Sequence, residues 1–232
     1  IEQHYRPRFA GDEVPQTQAG KVVALADKLD TICGLFSVGQ GPSGSSDPFA
    51  LRRSAIGIVA MLSCDQPLEI SLVSAIDASL DLFAQDGIEF DKQAVRDEVI
   101  EFFITRTRVM LRDSGKRIDA IDAVLAAGVQ EPVELINRVE ALETARTNEP
   151  ETFENLATAY ARANNLRDPK LGSEVDESLL TEVEHALSTA VVQAETRVSM
   201  ALDNDNYAEA LNELASLRKP IDLFFERVMI MD

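Results

Sequence analysis

Apolar residues recur at helical spacing along almost the whole chain of 232 residues, and the alternation typical of strands is almost absent. The pattern predicts an all-α fold. Its first helix, over residues 17–36, has an apolar face that includes Val22, Leu25 and Leu29. Further helices are predicted over residues 48–64, 68–84, 91–111, 118–127, 132–147, 150–165, 173–202 and 207–217, with a last one from residue 220.

Several polar residues predict where these helices begin. Asp47 followed by Pro48 is typical of a helix start, because the carboxylate accepts from free backbone N–H groups and proline suits the first position. Asp91 is a second candidate cap. Ser173 with Asp176 resembles a capping box at the start of the longest helix, in which Leu179 and Val191 are expected to face inward.

Charge and composition narrow the class of protein. The chain is 45% hydrophobic and 27% charged, and no apolar run approaches the roughly 20 residues that cross a bilayer. A net charge of −18 argues against a general nucleic-acid binder, so we expect neither DNA nor a membrane as a partner. Cys33 and Cys64 are expected to be buried reduced thiols of a cytosolic protein. The start at Ile1 and the abrupt apolar end suggest a piece of a longer protein.

Three segments carry a resemblance to a known family. Residues 26–53 contain ADKLDT and then GQGPSGSSDPFALRR, residues 4–15 read HYRPRFAGDEVP, and residues 219–232 read KPIDLFFERVMIMD. In this order they resemble the β subunit of the heterotetrameric bacterial glycyl-tRNA synthetases. In the last segment, Phe224, Phe225, Val228 and Met229 stand at helical spacing and are expected in the core.

The resemblance implies a domain organisation. Residues 1–66 would be the C-terminal part of an HD-like helical domain, and residues 67–232 a helical DALR-like anticodon-binding domain with a connecting helix. IDAIDAVLAAG at 118–128 and INRVEAL at 136–142 are similar to runs of that domain. Residues 86–90 are the alternative boundary. The run ARANNLR at 161–167 departs from the family's KRxxNIL, since Ala161 replaces a lysine for which Arg167 could substitute.

The resemblance also implies a function. The chain would be the C-terminal, non-catalytic portion of a cytoplasmic synthetase subunit that takes part in the ATP-dependent attachment of glycine to its tRNA. Its partners would be tRNA-Gly and the α subunit. The aminoacylation site, with ATP and Mg²⁺, would lie on the α subunit, and this portion would bind no cofactor.

Arginines are the candidate RNA contacts, because guanidinium groups bind phosphate and stack on bases. A continuous positive face formed by Arg106, Arg108, Arg112 and Arg162 would support RNA binding, whereas ion pairs with the abundant carboxylates are an equally open interpretation of each arginine. Tyr160 is a possible stacking residue. The full set of candidates is Arg52, Arg53, Arg106, Arg108, Arg112, Tyr160, Arg162 and Arg167.

Asp27 allows a competing interpretation, because ADKLDT is similar to the last motif of HD-type metal phosphohydrolases. Such a site needs several histidine and aspartate ligands, and the chain has only His4 and His185. We therefore expect no metal here, and a buried or capping carboxylate paired with Lys28 or Arg53 instead. A metal-dependent phosphohydrolase and a helical scaffold that binds a partner subunit but no RNA remain the alternatives.

Overall fold

The computed structural model describes residues 2–9, 11–168, 170 and 175–228, and within them it contains helices and no β-strand. The all-α prediction is confirmed. Short 3-10 turns lie at Glu2–Tyr5 and Glu177–Leu179. The α-helices are α1 (Gln18–Ser37), α2 (Leu51–Leu62), α3 (Leu72–Gln85), α4 (Lys92–Asp113), α5 (Ile118–Ala126), α6 (Pro132–Asn148), α7 (Pro150–Leu166), α8 (Glu182–Asp203), α9 (Tyr207–Ser216) and α10 (Arg218–Arg227).

The caps of α1 and α4 agree closely with the sequence pattern. Thr17 precedes α1 and accepts a hydrogen bond from the backbone N–H of Gly20. Asp91 precedes α4 and accepts from the N–H of Ala94, as predicted. Each side chain satisfies a backbone donor that the first turn of a helix leaves free.

Helix α2 begins three residues later than predicted. The Asp47 carboxylate does accept from the backbone N–H groups of Leu51, at 2.8 Å, and Arg52, at 3.0 Å. Ala50, however, has a φ of 55°. This left-handed conformation does not fit a right-handed helix, so the helix cannot extend back from Leu51 to Pro48. The carboxylate therefore caps the helix from outside, and Pro48 lies in the preceding turn.

The prediction of one long helix from residue 173 is wrong. Helix α8 begins at Glu182, where Thr181 and Glu184 form the capping box. Ser173 lies outside the described residues. Leu179 lies in the preceding 3-10 turn and is 78% exposed, and Val191 is also exposed. The Thr181–Glu184 box satisfies the first N–H groups locally, so it fixes the start of the helix after the apolar pair at 179–180.

The chain divides into two compact units, residues 1–139 and 140–232. In the first, α1 packs against α2, α3 and α4, and both α2 and α3 also contact α4. Gly34 allows the close approach of α1 and α3, since a Cβ there would lie 2.8 Å from the ring of Phe83. The largest fully buried side chains of this core include Ile32, Leu51, Ile58, Met61, Leu72, Ile76, Leu80 and Phe103. Val22 is exposed, contrary to the predicted face of α1.

The second unit has a core built largely from small side chains. Helix α9 packs against α7 and α8, and α10 contacts the same two helices. The predicted aromatic core of the last segment is only half-buried at Phe224, Phe225 and Val228, while Met229 lies outside the described residues. Among the residues of this unit that the structure describes, the buried ones are Ala159, Ala194, Ala201, Ala210, Ala215 and Ile221.

The compact units do not divide at residues 66 and 67, where the sequence interpretation placed the domain boundary. Helices on both sides of Pro67 share the core of the first unit. The assignment of residues 1–66 to an HD-like domain and of 67–232 to a DALR-like domain concerns family relationships, and it stays a prediction.

The two cysteines differ in environment. Cys33 is fully buried, and burial raises the pKa of its thiol to about 11. Cys64 is only half-buried, with its Sγ 3.4 Å from the carbonyl oxygen of Met61. None of the described helices is both long and apolar enough to cross a membrane.

A long-range carboxylate fixes the start of α3. Glu131 accepts hydrogen bonds from the hydroxyl of Ser71 at 2.5 Å and from the backbone N–H groups of Leu72 and Val73 at 3.1 and 3.2 Å. Its own backbone carbonyl accepts from the N–H of Leu135 in the first turn of α6. One residue thus joins the starts of two helices.

We predict that Glu131→Ala lowers the free energy of unfolding by about 1–2 kcal/mol, because it leaves helix-end donors of α3 unsatisfied. Urea unfolding followed by circular dichroism measures the change. Glu69→Ala, an exposed glutamate close to the same helix start, is the control and should change stability by less than about 0.5 kcal/mol. Equal effects of the two substitutions would contradict the role of Glu131.

Candidate nucleic-acid interface

A groove of about 800 Å³ lies in the first unit between α4, α5 and the turn that follows α5. Three isoleucines are part of its lining, of which Ile104 and Ile121 are buried and Ile118 is exposed. Polar side chains of α4 and the turn at Gly128 also line it. The lining residues are Asp97, Ile100, Glu101, Ile104, Thr105, Arg108, Val109, Arg112, Ile118, Ile121, Leu125, Gly128, Val129 and Gln130.

Arg108 and Arg112 form the positive rim of this groove. They are four residues apart on α4, so they share one face of the helix. The Nη2 atom of Arg108 lies 2.7 Å from the Asp122 carboxylate on α5, and Arg112 pairs with the neighbouring Asp113 at 3.0 Å. Both arginine side chains are more than half exposed, at 52% and 57%. Exposed ion pairs of this kind contribute at most about 1 kcal/mol to the free energy of unfolding. An anionic ligand can therefore compete with the carboxylates for the guanidinium groups.

Arg106 does not join this rim. It is two residues from Arg108, which places it about 200° away around the helix axis. Its side chain is half-buried, and no described atom accepts a hydrogen bond from its buried Nε. Within the first unit the structure therefore brings together Arg108 and Arg112, and separates Arg106 from them.

Arg52 and Arg53 stabilise loops. The Nη2 atom of Arg52 donates to the carbonyl oxygen of Gly44 at 2.6 Å, which ties the glycine-rich loop to α2. The Nη1 atom of Arg53 lies 3.5 Å from the carbonyl oxygen of Arg8 in the N-terminal segment. These contacts explain both arginines locally, although Arg53 remains exposed.

The remaining candidates belong to α7 in the second unit. Tyr160 is 68% exposed and therefore accessible for stacking. Arg162 forms an ion pair with Asp222 of α10, and its guanidinium lies 5.5 Å from the centre of the Phe225 ring. Arg167 follows the last residue of α7 and is exposed. Asp222, the partner of Arg162, is not among the predicted site residues, although it belongs to the PIDLFF run, one of the segments that carry the family resemblance.

Asp27 is exposed in the middle of α1, so the expectation of a buried or capping carboxylate is wrong. The buried residue is the adjacent Lys28, whose Nζ lies 3.4 Å from the carbonyl oxygens of both His4 and Tyr5. Burial lowers the pKa of Lys28, and the nearby Asp27 charge partly opposes that shift. Helical periodicity explains the reversal, because Lys28 shares a face with the buried Ala24, Leu25 and Ile32.

The histidines do not assemble a metal site. His4 lies against the ring of Tyr5, with centroids 3.9 Å apart, and His185 is exposed on α8. Across the described residues, no group of three or more histidine, cysteine, aspartate or glutamate side chains is arranged to hold a metal ion.

Comparisons with known proteins give one consistent family. A sequence model described as "Glycyl-tRNA synthetase beta subunit" matches residues 1–126, more than half of the chain. The chain is 38% identical over 232 residues to the glycine–tRNA ligase beta subunit of Syntrophus aciditrophicus, and the match covers 100% of the chain and 33% of that relative. The corresponding subunit of Vibrio cholerae is 42% identical over 235 residues, with the same coverage. The chain thus spans about a third of the length of these relatives.

We predict that Asp27 holds no metal. Because its carboxylate is exposed, Asp27→Asn should change the free energy of unfolding by less than about 0.5 kcal/mol, as should the control Asp30→Asn on the same helix. Elemental analysis of the purified chain should detect no stoichiometric divalent metal. A bound metal that disappears in Asp27→Asn but persists in Asp30→Asn would contradict this and revive the phosphohydrolase interpretation.

Proposed function

The chain belongs to the glycyl-tRNA synthetase β-subunit family, and we propose that it is a C-terminal, tRNA-binding portion of that subunit. In this proposal it supports ATP-dependent glycylation of tRNA-Gly in the cytoplasm by recognising the anticodon end and by contacting the α subunit. The α subunit carries the aminoacylation site with its ATP and Mg²⁺. The observation that supports this most directly is the similarity to glycine–tRNA ligase beta subunits across the entire chain.

The groove along α4 and α5 has the chemistry that an unstacked nucleotide requires. RNA is recognised mainly in loops, where bases leave the stack and place an apolar face against protein while the phosphates meet cations. The lining isoleucines, of which Ile118 is exposed, supply the apolar surface: Ile104, Ile118 and Ile121. Arg108 and Arg112, one turn apart on the rim, supply the cations.

Carboxylates in the same groove restrict what it binds. Asp97 and Glu101 lie on α4 toward its N-terminal end, away from the two arginines. They repel phosphate but accept hydrogen bonds from amino groups on base edges. With a net charge of −18 over the chain, binding by diffuse attraction is weak, so affinity depends on a few placed contacts.

We predict that Arg108→Gln with Arg112→Gln weakens tRNA-Gly binding by the complete β subunit assembled with the α subunit. Loss of two phosphate contacts should reduce the slope of log K against log salt by about 1.4, at roughly 0.7 per contact with single-stranded nucleic acid. Fluorescence anisotropy between 50 and 200 mM salt measures the affinity and the slope.

The control is Lys92→Gln at the other end of α4. Lys92 forms an exposed ion pair with Asp81 at 2.6 Å, comparable to the pair of Arg108, but it lies outside the groove. Its substitution should leave the slope unchanged. An unaltered slope in the double variant would place the RNA contact elsewhere, and the absence of tRNA binding by the unmodified assembly would refute the proposed function.

A further inference from the structure

One carboxylate in the second unit holds two arginines from different helices. The Nη1 atom of Arg162 on α7 contacts Oδ1 of Asp222 on α10. The Nε atom of Arg218, one helical turn before Asp222, lies 2.5 Å from its Oδ2. Both oxygens of Asp222 are therefore engaged, each by a different guanidinium.

The charges of this cluster do not cancel. Arginine keeps its proton throughout the accessible pH range, so two positive charges face one negative charge. The three side chains are partly exposed to solvent, by 43% for Arg162, 29% for Asp222 and 27% for Arg218. Each guanidinium has five N–H donors, and Asp222 occupies only some of them, so donors of both groups remain available to solvent.

An aromatic ring lies against one of these groups. The guanidinium carbon of Arg162 lies 5.5 Å from the centre of the Phe225 ring, within the range of a cation–π contact. Phe225 itself packs edge-on against Phe224, with centroids 5.6 Å apart. The cation–π contact and the ion pair together reduce the conformational freedom of Arg162 before any ligand binds.

The cluster joins two segments that lie about 60 residues apart in the sequence. Asp222 and Phe225 belong to PIDLFF, whose aromatic residues were expected in the core. Arg162 belongs to ARANNLR and is a candidate RNA contact for which an ion pair was the equally open interpretation. Phe225 is only half-buried and contacts Arg162. Part of the apolar run therefore supports an arginine.

We propose that Asp222 positions Arg162 and Arg218 as a fork for one phosphodiester group of RNA. This inference rests on the proposed tRNA-binding function and adds two residues to it, Arg218 as a contact and Asp222 as a positioning residue. One phosphodiester carries one negative charge, which matches the charge left on the cluster. Guanidinium groups bind phosphate oxygens bidentately, and prior orientation lowers the entropy lost on binding.

Asp222→Asn separates positioning from simple charge attraction. Removal of a negative charge beside two arginines would strengthen RNA binding if the arginines acted only through their charge. If Asp222 positions them, the substitution weakens binding of tRNA-Gly to the complete synthetase assembly by about tenfold, the effect of one misplaced charged hydrogen bond. Asp222→Glu, which keeps the carboxylate, should recover most of the affinity.

Matched substitutions in the same unit serve as controls. Asp203→Asn makes the same change of charge at an exposed position of α8 and should not weaken binding. Arg162→Gln and Arg218→Gln should each lower the salt slope by about 0.7. Arg197→Gln, which removes an exposed arginine paired with Glu213 at 3.2 Å, should leave the slope unchanged.

The outcomes distinguish this inference from the proposed function. If the unmodified assembly binds tRNA-Gly and neither arginine substitution changes the slope, the fork is refuted while the proposed function stands. Tighter binding by Asp222→Asn would refute the positioning role. Thermal unfolding of every variant identifies loss of structure, and should Asp222→Asn unfold, the two arginine variants still decide the outcome.

Discussion

The burial of one stripe of α4 determines how the first unit presents its charges. Val99, Phe103, Thr107 and Leu111 follow one another at intervals of four and are all buried, and α4 packs against α1, α2 and α3. The only polar member, Thr107, donates its hydroxyl to the carbonyl oxygen of Phe103 at 2.9 Å, so the stripe leaves no hydroxyl unsatisfied. Burial of this stripe fixes the rotation of α4 about its axis. That rotation directs Arg108 and Arg112 to the groove and turns Arg106 away from it.

The charge of the chain sets a condition on the proposed tRNA binding. At a net charge of −18 the average field repels phosphate, so that proposal requires arginines held at defined positions. The rim arginines are paired with Asp122 and Asp113 in exposed, exchangeable contacts. In the second unit, two arginines share Asp222 and retain one positive charge between them. Both arrangements hold the guanidinium groups in place. The rim pairs can exchange with solvent, and the Asp222 cluster keeps one positive charge.

Local patterns in the sequence predicted the features that depend on neighbouring residues. The Asp91 cap and the all-helical fold follow from spacing and capping chemistry within a few turns. The start of α2 was missed because the left-handed conformation of Ala50 is unusual for a residue other than glycine or asparagine. The start of α8 was missed because an apolar pair at 179–180 extends the helical pattern beyond the true capping box.

Contacts between distant parts of the chain account for the remaining differences. Glu131 caps α3 from about 60 residues away, and Asp222 is equally distant from Arg162, so no local periodicity indicates either contact. The family that the resemblance named is confirmed, but the resemblance did not indicate which charged residue of ADKLDT is buried. In ADKLDT the buried charged residue is Lys28, which contacts the carbonyl oxygens of His4 and Tyr5. A Cβ at Gly57 would lie 3.3 Å from Pro7 and 3.4 Å from Lys28, so α2 also closes on this segment. The motif that resembles a metal site therefore fastens the N-terminal segment to α1 and α2.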